Sequence, residues 1–143
     1  MEITSHKIFI FDKLTVYFKH SDYYGFVHPY YYFEWTSYVR EAFFSQMCND
    51  FRDILNSPIK MMTAKISSTM YSDNIFGEAI EARFTTSKIK KVSFDVIIRF
   101  WNRSSERLLC GTQHTLVFVD SLSQQFTSIP PSLKNAIVQY EEV

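Results

Sequence analysis

The chain has 143 residues, the size of one domain around one core, and its 46% hydrophobic and 21% charged content excludes a disordered or fibrous protein. Fifteen basic and fifteen acidic residues cancel, which excludes nucleic acid as an expected partner because phosphate neutralisation needs a clustered basic excess. Only the 17% aromatic content departs from the ordinary.

The opening MEITSHKIFIF lacks the apolar core of a signal peptide, and no run approaches the roughly 18 apolar residues of a membrane span, so no membrane association is expected. Residues 7–18, KIFIFDKLTVYF, are rich in β-branched and aromatic side chains and predict a first strand. The stretch SDYYGFVHPYYYFEW follows, from Ser21 to Trp35, dense in tyrosine around one aspartate. Three readings compete for it: a turn beside an aromatic core, a base-stacking platform, and the mouth of a small-molecule pocket. The balanced charge speaks against the second.

Beyond Pro29 the period changes. Tyr32, Trp35, Val39, Phe43, Met47 and Phe51 recur every three or four residues, which predicts one helix from about Tyr30 to Leu55, with Pro29 in the first turn where its missing N–H costs nothing. Asn56-Ser57-Pro58 stops it. Residues 60–71 predict a second strand. From 78 to 86, Ile80, Ala82, Phe84 and Thr86 alternate with Glu81, Arg83 and Thr85; from 92 to 101, Val92, Phe94, Val96, Ile98 and Phe100 alternate likewise. These are strands three and four of a hairpin, with Lys88, Lys90 and Lys91 at its solvated tip. Asn102 to Glu106 is a turn, residues 108–120 a fifth strand, and IPPSLKNAIVQY a stop followed by one or two helical turns. Cys48 and Cys110 form no metal-binding spacing, so free thiols in a reducing cytoplasm and no metal or other cofactor are expected. With three glycines, four prolines and no internal repeat, the expectation is a single α+β domain over residues 1–143, an antiparallel five-stranded sheet wrapped around one long helix, with large rings filling the space between them.

This layout resembles the hotdog-fold thioesterases of the 4-hydroxybenzoyl-CoA thioesterase type. Asp22, Gly25, Val27 and Tyr32 are similar to that family's aspartate before a glycine turn leading into the central helix; NIFGEAIEARFTTSKIKKVSFDVIIRF and CGTQHTLVFVD look like its two central strands and closing strand, and IPPSLKNAI like its C-terminal segment. YFEWTSYVREAFF, with Trp35, Arg40, Glu41 and Phe43, is similar to the subgroup that releases polyketide chains in enediyne biosynthesis. There the position matching Asp22 is commonly asparagine, and the arginine matching Arg40 is implicated in catalysis.

The resemblance implies hydrolysis of an acyl thioester carried on coenzyme A or on an acyl carrier protein, with a polyketide or fatty acyl chain as the group released, in a homodimer or homotetramer. Asp22 is then the nucleophile or general base. The helix N-terminus is expected to offer unpaired N–H groups and a positive dipole end. In the parent family a backbone N–H about seven residues after the aspartate binds the oxyanion; here Pro29 stands there and has none. Candidate replacement donors are the Tyr30 N–H, the Tyr32 hydroxyl, the Arg40 guanidinium and the Thr63 hydroxyl, with Arg40 the strongest because it is permanently charged. If not functional, Arg40 is expected to snorkel along the helix or to pair with Glu34 or Glu41. His28 is a candidate second acid–base group beside the substrate, and Tyr23, Tyr24, Tyr30 and Tyr31 are expected as pocket wall or subunit contact. The rival readings are a non-catalytic acyl-binding or synthase-partner protein, its oxyanion hole disabled by Pro29, and a dehydratase using His28 as base.

Overall fold

The computed structural model describes residues 6–21, 26–73 and 78–142. Five long strands, β1 (Phe9–Leu14), β2 (Ile59–Met70), β3 (Ile80–Ser87), β4 (Ser93–Asn102) and β5 (Arg107–Asp120), form one antiparallel sheet in the order β1-β3-β4-β5-β2, and a two-residue β6 (Gln125–Phe126) adds to β5. The helix α1 (Tyr30–Met47) packs against one face of the sheet, followed by the short α2 (Phe51–Leu55); α3 (Pro131–Val138) is the last helix among the described residues. No helix among the described residues is long and apolar enough to cross a membrane.

The alternation in β3, β4 and β5 decides which face meets α1. Ile80, Ala82 and Phe84 on β3, Phe94, Val96, Ile98 and Phe100 on β4, and Cys110, Leu116 and Phe118 on β5 are all fully buried, the outcome of period-two patterning with one covered face. Aromatic rings fill the gap as expected. Phe43 of α1 stacks on Phe84 at 4.1 Å and meets Phe9 and Tyr140 edge-on at 5.4 and 4.9 Å. Tyr140 stands in the tail after α3, where the Tyr140 carbonyl accepts from Thr86 N at 2.9 Å and Glu142 N donates to Thr86 O at 2.8 Å, latching the C-terminus to β3.

The predicted single helix from Tyr30 to Leu55 is corrected by a break. Cys48 leaves the helical region (φ −124°, ψ 104°), and Asn49 and Asp50, poor helix formers whose side chains compete for local bonds, complete the interruption. Asp50 finds better partners than a continuous helix allows. Its carboxylate accepts from Cys48 Sγ at 3.0 Å and from Ser132 Oγ at 2.7 and 2.8 Å, tying the break to the start of α3.

The first strand is shorter than expected. Its register with β3 shifts between Phe11 and Leu14, and Tyr17 N then donates to His20 Nδ1 at 2.9 Å as the chain turns through a 3-10 turn at Phe18–His20. The turns after β4 and β5 share one device. Asn102 Oδ1 accepts from the N–H groups of Ser104 and Ser105, Asp120 Oδ1 from those of Leu122 and Ser123, and each turn ends four residues later in a left-handed residue, Glu106 (φ 54°) or Gln124 (φ 58°). Side-chain acceptors of this kind set tight turns.

β2 is an edge strand and differs from the others. Every residue from Met62 to Met70 is exposed, including Met62, Ile66 and Met70, so three quarters of this twelve-residue strand stays largely uncovered by the chain. Its pairing with β5 slips between Thr63 and Lys65, leaving Ala64 as an extra residue. Since side chains alternate, that slip changes which residues face α1: Met61 and Thr63 before it, opposite Phe118 and Leu116, then Ile66, Ser68 and Met70 after it, opposite His114, Thr112 and Cys110.

Candidate functional site

The site begins with a coincidence of two repeats. On α1, Tyr32, Thr36 and Arg40 are four residues apart and share one face. On β5, Cys110, Thr112 and His114 are two apart and point toward that face. The Thr36 and Thr112 hydroxyls are 2.7 Å apart, both side chains are buried, and Thr36 Oγ1 also donates to Tyr32 O at 2.7 Å. One rung further on, Arg40 Nη1 donates to His114 Nδ1 at 2.9 Å and to Thr63 Oγ1 at 3.0 Å. The inward turn of Thr63 before the slip in β2 is what brings its hydroxyl to Arg40.

Arg40 therefore sits differently from the ion-pair expectation. Glu34 accepts from Tyr38 Oη at 2.9 Å instead, and among the described residues no carboxylate forms an ion pair with Arg40. Burial pulls its pKa below the ordinary value, with Glu41 opposing, yet a guanidinium stays protonated. Both hydrogens of Nη1 are taken up by Thr63 and His114. Of the five N–H donors, the Nε hydrogen and the two on Nη2 remain without a partner among the described residues. Arg40 lines a cavity of about 230 Å³ together with Ser37, Glu41, Phe44, Phe51, Leu55 and Met61.

His114 is 2% exposed. Its pKa is pushed down to about 4 by burial first and by the Arg40 charge second, so the ring is neutral at physiological pH. Tyr32 is fully buried, edge-on to Trp35 and Phe100 at 5.3 and 5.1 Å. Burial raises the pKa of its phenol far above the usual value, with Cys110 and Asp73 adding to it; it is a neutral donor. The Tyr32 hydroxyl and His114 Nε2 are both buried without a hydrogen-bond partner among the described residues, which is rare enough for native polar groups to mark a site.

The N-terminus of α1 does not offer the unpaired donors expected of it. Tyr30 N–H points to His28 Nδ1 at 3.2 Å, Tyr31 N–H to His28 O at 3.0 Å and Tyr32 N–H to Pro29 O at 3.1 Å. His28 is exposed, as is Tyr30. Asp22, like Tyr23, Tyr24 and Gly25, lies outside the described residues; among the described ones, Ser21 and Val27 form a bridge and His28 N–H donates to His20 O at 2.9 Å. Tyr17, Tyr31 and Tyr38, with His20, Glu34 and Trp35, line a second cavity of about 330 Å³, where His20 serves as wall, its ring edge-on to Tyr31 and Trp35.

The family model described as the thioesterase-like superfamily matches residues 16–137. The chain belongs to that superfamily. It is a thioester hydrolase of the hotdog fold. No curated protein matches it in sequence. Among solved structures, dynemicin thioesterase, whose crystal structures concern polyene binding, is similar at 15% identity with a TM-score of 0.85, covering 97% of this chain and 99% of that one. The 1,4-dihydroxy-2-naphthoyl-CoA thioesterase from Synechocystis is similar at 15% identity and a TM-score of 0.81, over 92% and 96% of the two chains. A Staphylococcus aureus protein solved in complex with CoA is similar at 14% identity and 0.85, over 98% and 87%. The three likenesses carry the fold; the family model carries the hydrolysis.

Sequence reasoning reached Arg40, Tyr32 and Thr63, and the thioesterase brings Arg40 and Thr63 into direct contact while placing Tyr32 two helical turns away along the same face. It missed Thr36, Thr112 and His114. The available signal was the run of polar residues at four-residue spacing on α1, facing two polar residues at two-residue spacing on the inward side of β5.

Proposed function

We propose that this thioesterase hydrolyses an acyl thioester of coenzyme A or of an acyl carrier protein, with Arg40 stabilising the oxyanion and Asp22 supplying the attack. The observation that carries this reading is a half-buried guanidinium that, among the described residues, forms no ion pair or hydrogen bond with a carboxylate, Glu41 acting on it only through its charge nearby. A charge held this way is costly unless an anion arrives, and three N–H donors without a partner among the described residues suit an oxygen that becomes negative during the reaction. Either route for Asp22 balances. Its carboxylate attacks the carbonyl carbon, expels the thiolate and leaves a mixed anhydride that water opens, or it takes a proton from a water that attacks directly; both give a carboxylic acid and a thiol.

The Phe44, Phe51, Leu55 and Met61 walls beside Arg40 suit an apolar acyl chain, which favours a polyketide or fatty acyl group. The CoA thioester named for the Synechocystis relative and the CoA bound by the Staphylococcus aureus protein support coenzyme A as carrier. We further propose a homodimer or homotetramer. A twelve-residue edge strand with Met62, Ile66 and Met70 exposed is an aggregation hazard on a lone chain and a natural pairing surface between copies.

The test is hydrolysis across a panel of acyl-CoA and acyl-carrier-protein substrates by wild type, Asp22→Asn and Arg40→Gln. Each variant is expected to lose about a hundredfold or more in kcat with unchanged folding, in the range of a lost general base or oxyanion donor. Near-normal turnover by Asp22→Asn removes the carboxylate from the mechanism, and near-normal turnover by Arg40→Gln removes the guanidinium.

A further inference from the structure

We infer that His114 is the positioning residue of Arg40: as a neutral imidazole carrying its hydrogen on Nε2, it accepts from Arg40 Nη1 and fixes the plane of the guanidinium at the thioester. This rests on the proposed role of Arg40 and deepens it.

The tautomer follows from the bond. An arginine only donates, so at 2.9 Å from Nη1 the His114 Nδ1 must be a lone pair, and a neutral ring then carries its hydrogen on Nε2. A protonated ring has no lone pair at Nδ1 and would face a second cation. Burial at 2% exposure and the adjacent guanidinium both disfavour that form. The contact therefore has only one protonation pattern in which it is a hydrogen bond.

Its consequence is orientation. Thr63 and His114 take the two hydrogens of the same nitrogen, and since a guanidinium is planar, fixing Nη1 at two points fixes the direction in which Nε and Nη2 point. Thr63 comes from an exposed edge strand, whereas His114 comes from the interior of β5, between β4 and β2. The rigid anchor is the histidine. Nothing else among the described residues accepts from Arg40, so without His114 the side chain retains one hydroxyl on an uncovered strand and rotates freely about it. The same ring presents an Nε2–H that is buried and unpartnered among the described residues, so the polar character of the site extends past Arg40 along β5.

Two substitutions separate the two ring nitrogens. In His114→Asn the amide oxygen falls near the place of Nδ1 and can accept from Arg40; in His114→Gln the amide reaches the place of Nε2 and leaves the Nδ1 position empty. With purified full-length protein and an accepted acyl-CoA, His114→Gln is expected to lower kcat about tenfold or more with KM within about threefold, as for an interaction realised in the transition state. His114→Asn is expected to recover most of that loss. The double variant Arg40→Gln/His114→Gln is expected to be no slower than Arg40→Gln alone, because a residue acting through another adds nothing once that other is gone.

Equal losses in His114→Asn and His114→Gln, or full additivity with Arg40→Gln, overturn the inference while leaving Arg40 in the mechanism. Full activity of Arg40→Gln overturns the reading beneath it. Should the variants fail to fold, the wild-type protein still decides: long-range proton–nitrogen NMR of His114 at neutral pH is expected to show the Nε2–H tautomer, and the Nδ1–H tautomer or an imidazolium overturns the proposal.

Discussion

At His114 the free energy of folding becomes coupled to acid. The unfolded chain binds a proton at this ring with an ordinary pKa of 6.5, while the folded protein resists it down to about 4. Because the unfolded state binds more protons in that window, the contribution is complete above about pH 6.5 and is lost as pH falls toward 4, at about 1.4 kcal/mol per unit. Buried His20, its pKa also lowered by burial and by Lys19, acts in the same direction. Wild type is expected to lose about 2 kcal/mol more stability than His114→Gln between pH 7.5 and pH 5, read as the difference in urea midpoints at the two pH values. Equal slopes for the two proteins would show that the ring is not held neutral. Arg40 is legible in the sequence because the resemblance singles it out, but His114 is not. A lone histidine in an alternating strand looks like any inward residue until the helix face opposite it is known, and the facing residue lies 74 positions away in the chain.

Elements are legible where one physical signal dominates. β3, β4 and β5 follow from the sequence nearly to their ends, since alternation over eight or more residues fits little besides a strand with one covered face. The predicted helix runs too far because Phe51 and Ile54 continue the apolar spacing, and what breaks the helix at Cys48 is a set of side-chain bonds to Ser132 in α3. No local pattern announces a partner that distant. The turns offer a sharper check. Glu106 and Gln124 hold a left-handed backbone that an L side chain adopts at a cost, so Glu106→Gly and Gln124→Gly are each expected to raise stability by about 0.5–1 kcal/mol, with glycine's greater freedom in the unfolded chain already set against the gain. Denaturant midpoints check it. A fall in both midpoints would mean that the side chains contribute contacts worth more than the strain they impose.

For the whole molecule, the open question in the fold is what covers β2. Its inward residues after the slip, Ile66, Ser68 and Met70, continue the face that buries α1 elsewhere, yet they stand exposed. Their pattern is readable as a strand, and their exposure is not, because a sequence gives alternation without saying which stretch of a sheet a helix fails to reach. Charge placed there tests the proposed assembly. Ile66→Lys with Met70→Lys is expected to shift the protein toward monomer by about tenfold or more in dissociation constant, measured by light scattering across a concentration series. If the site borrows groups from a second copy, turnover falls in step with the dimer fraction. An unchanged mass for the double variant would remove β2 as the pairing surface.

The rungs between α1 and β5 work like the two scales of a vernier. Four helical residues advance about 6.0 Å and two strand residues about 6.7 Å, so the marks drift by some 0.7 Å at each step and coincide well over only a short span. The next marks after Arg40 and His114 are Phe44 and Leu116, both buried and apolar, where contact no longer depends on angle. Directional bonding is thereby confined to the few steps in which the scales agree, and where polar contacts form along the helix follows from two repeat lengths that no substitution in the side chains can alter.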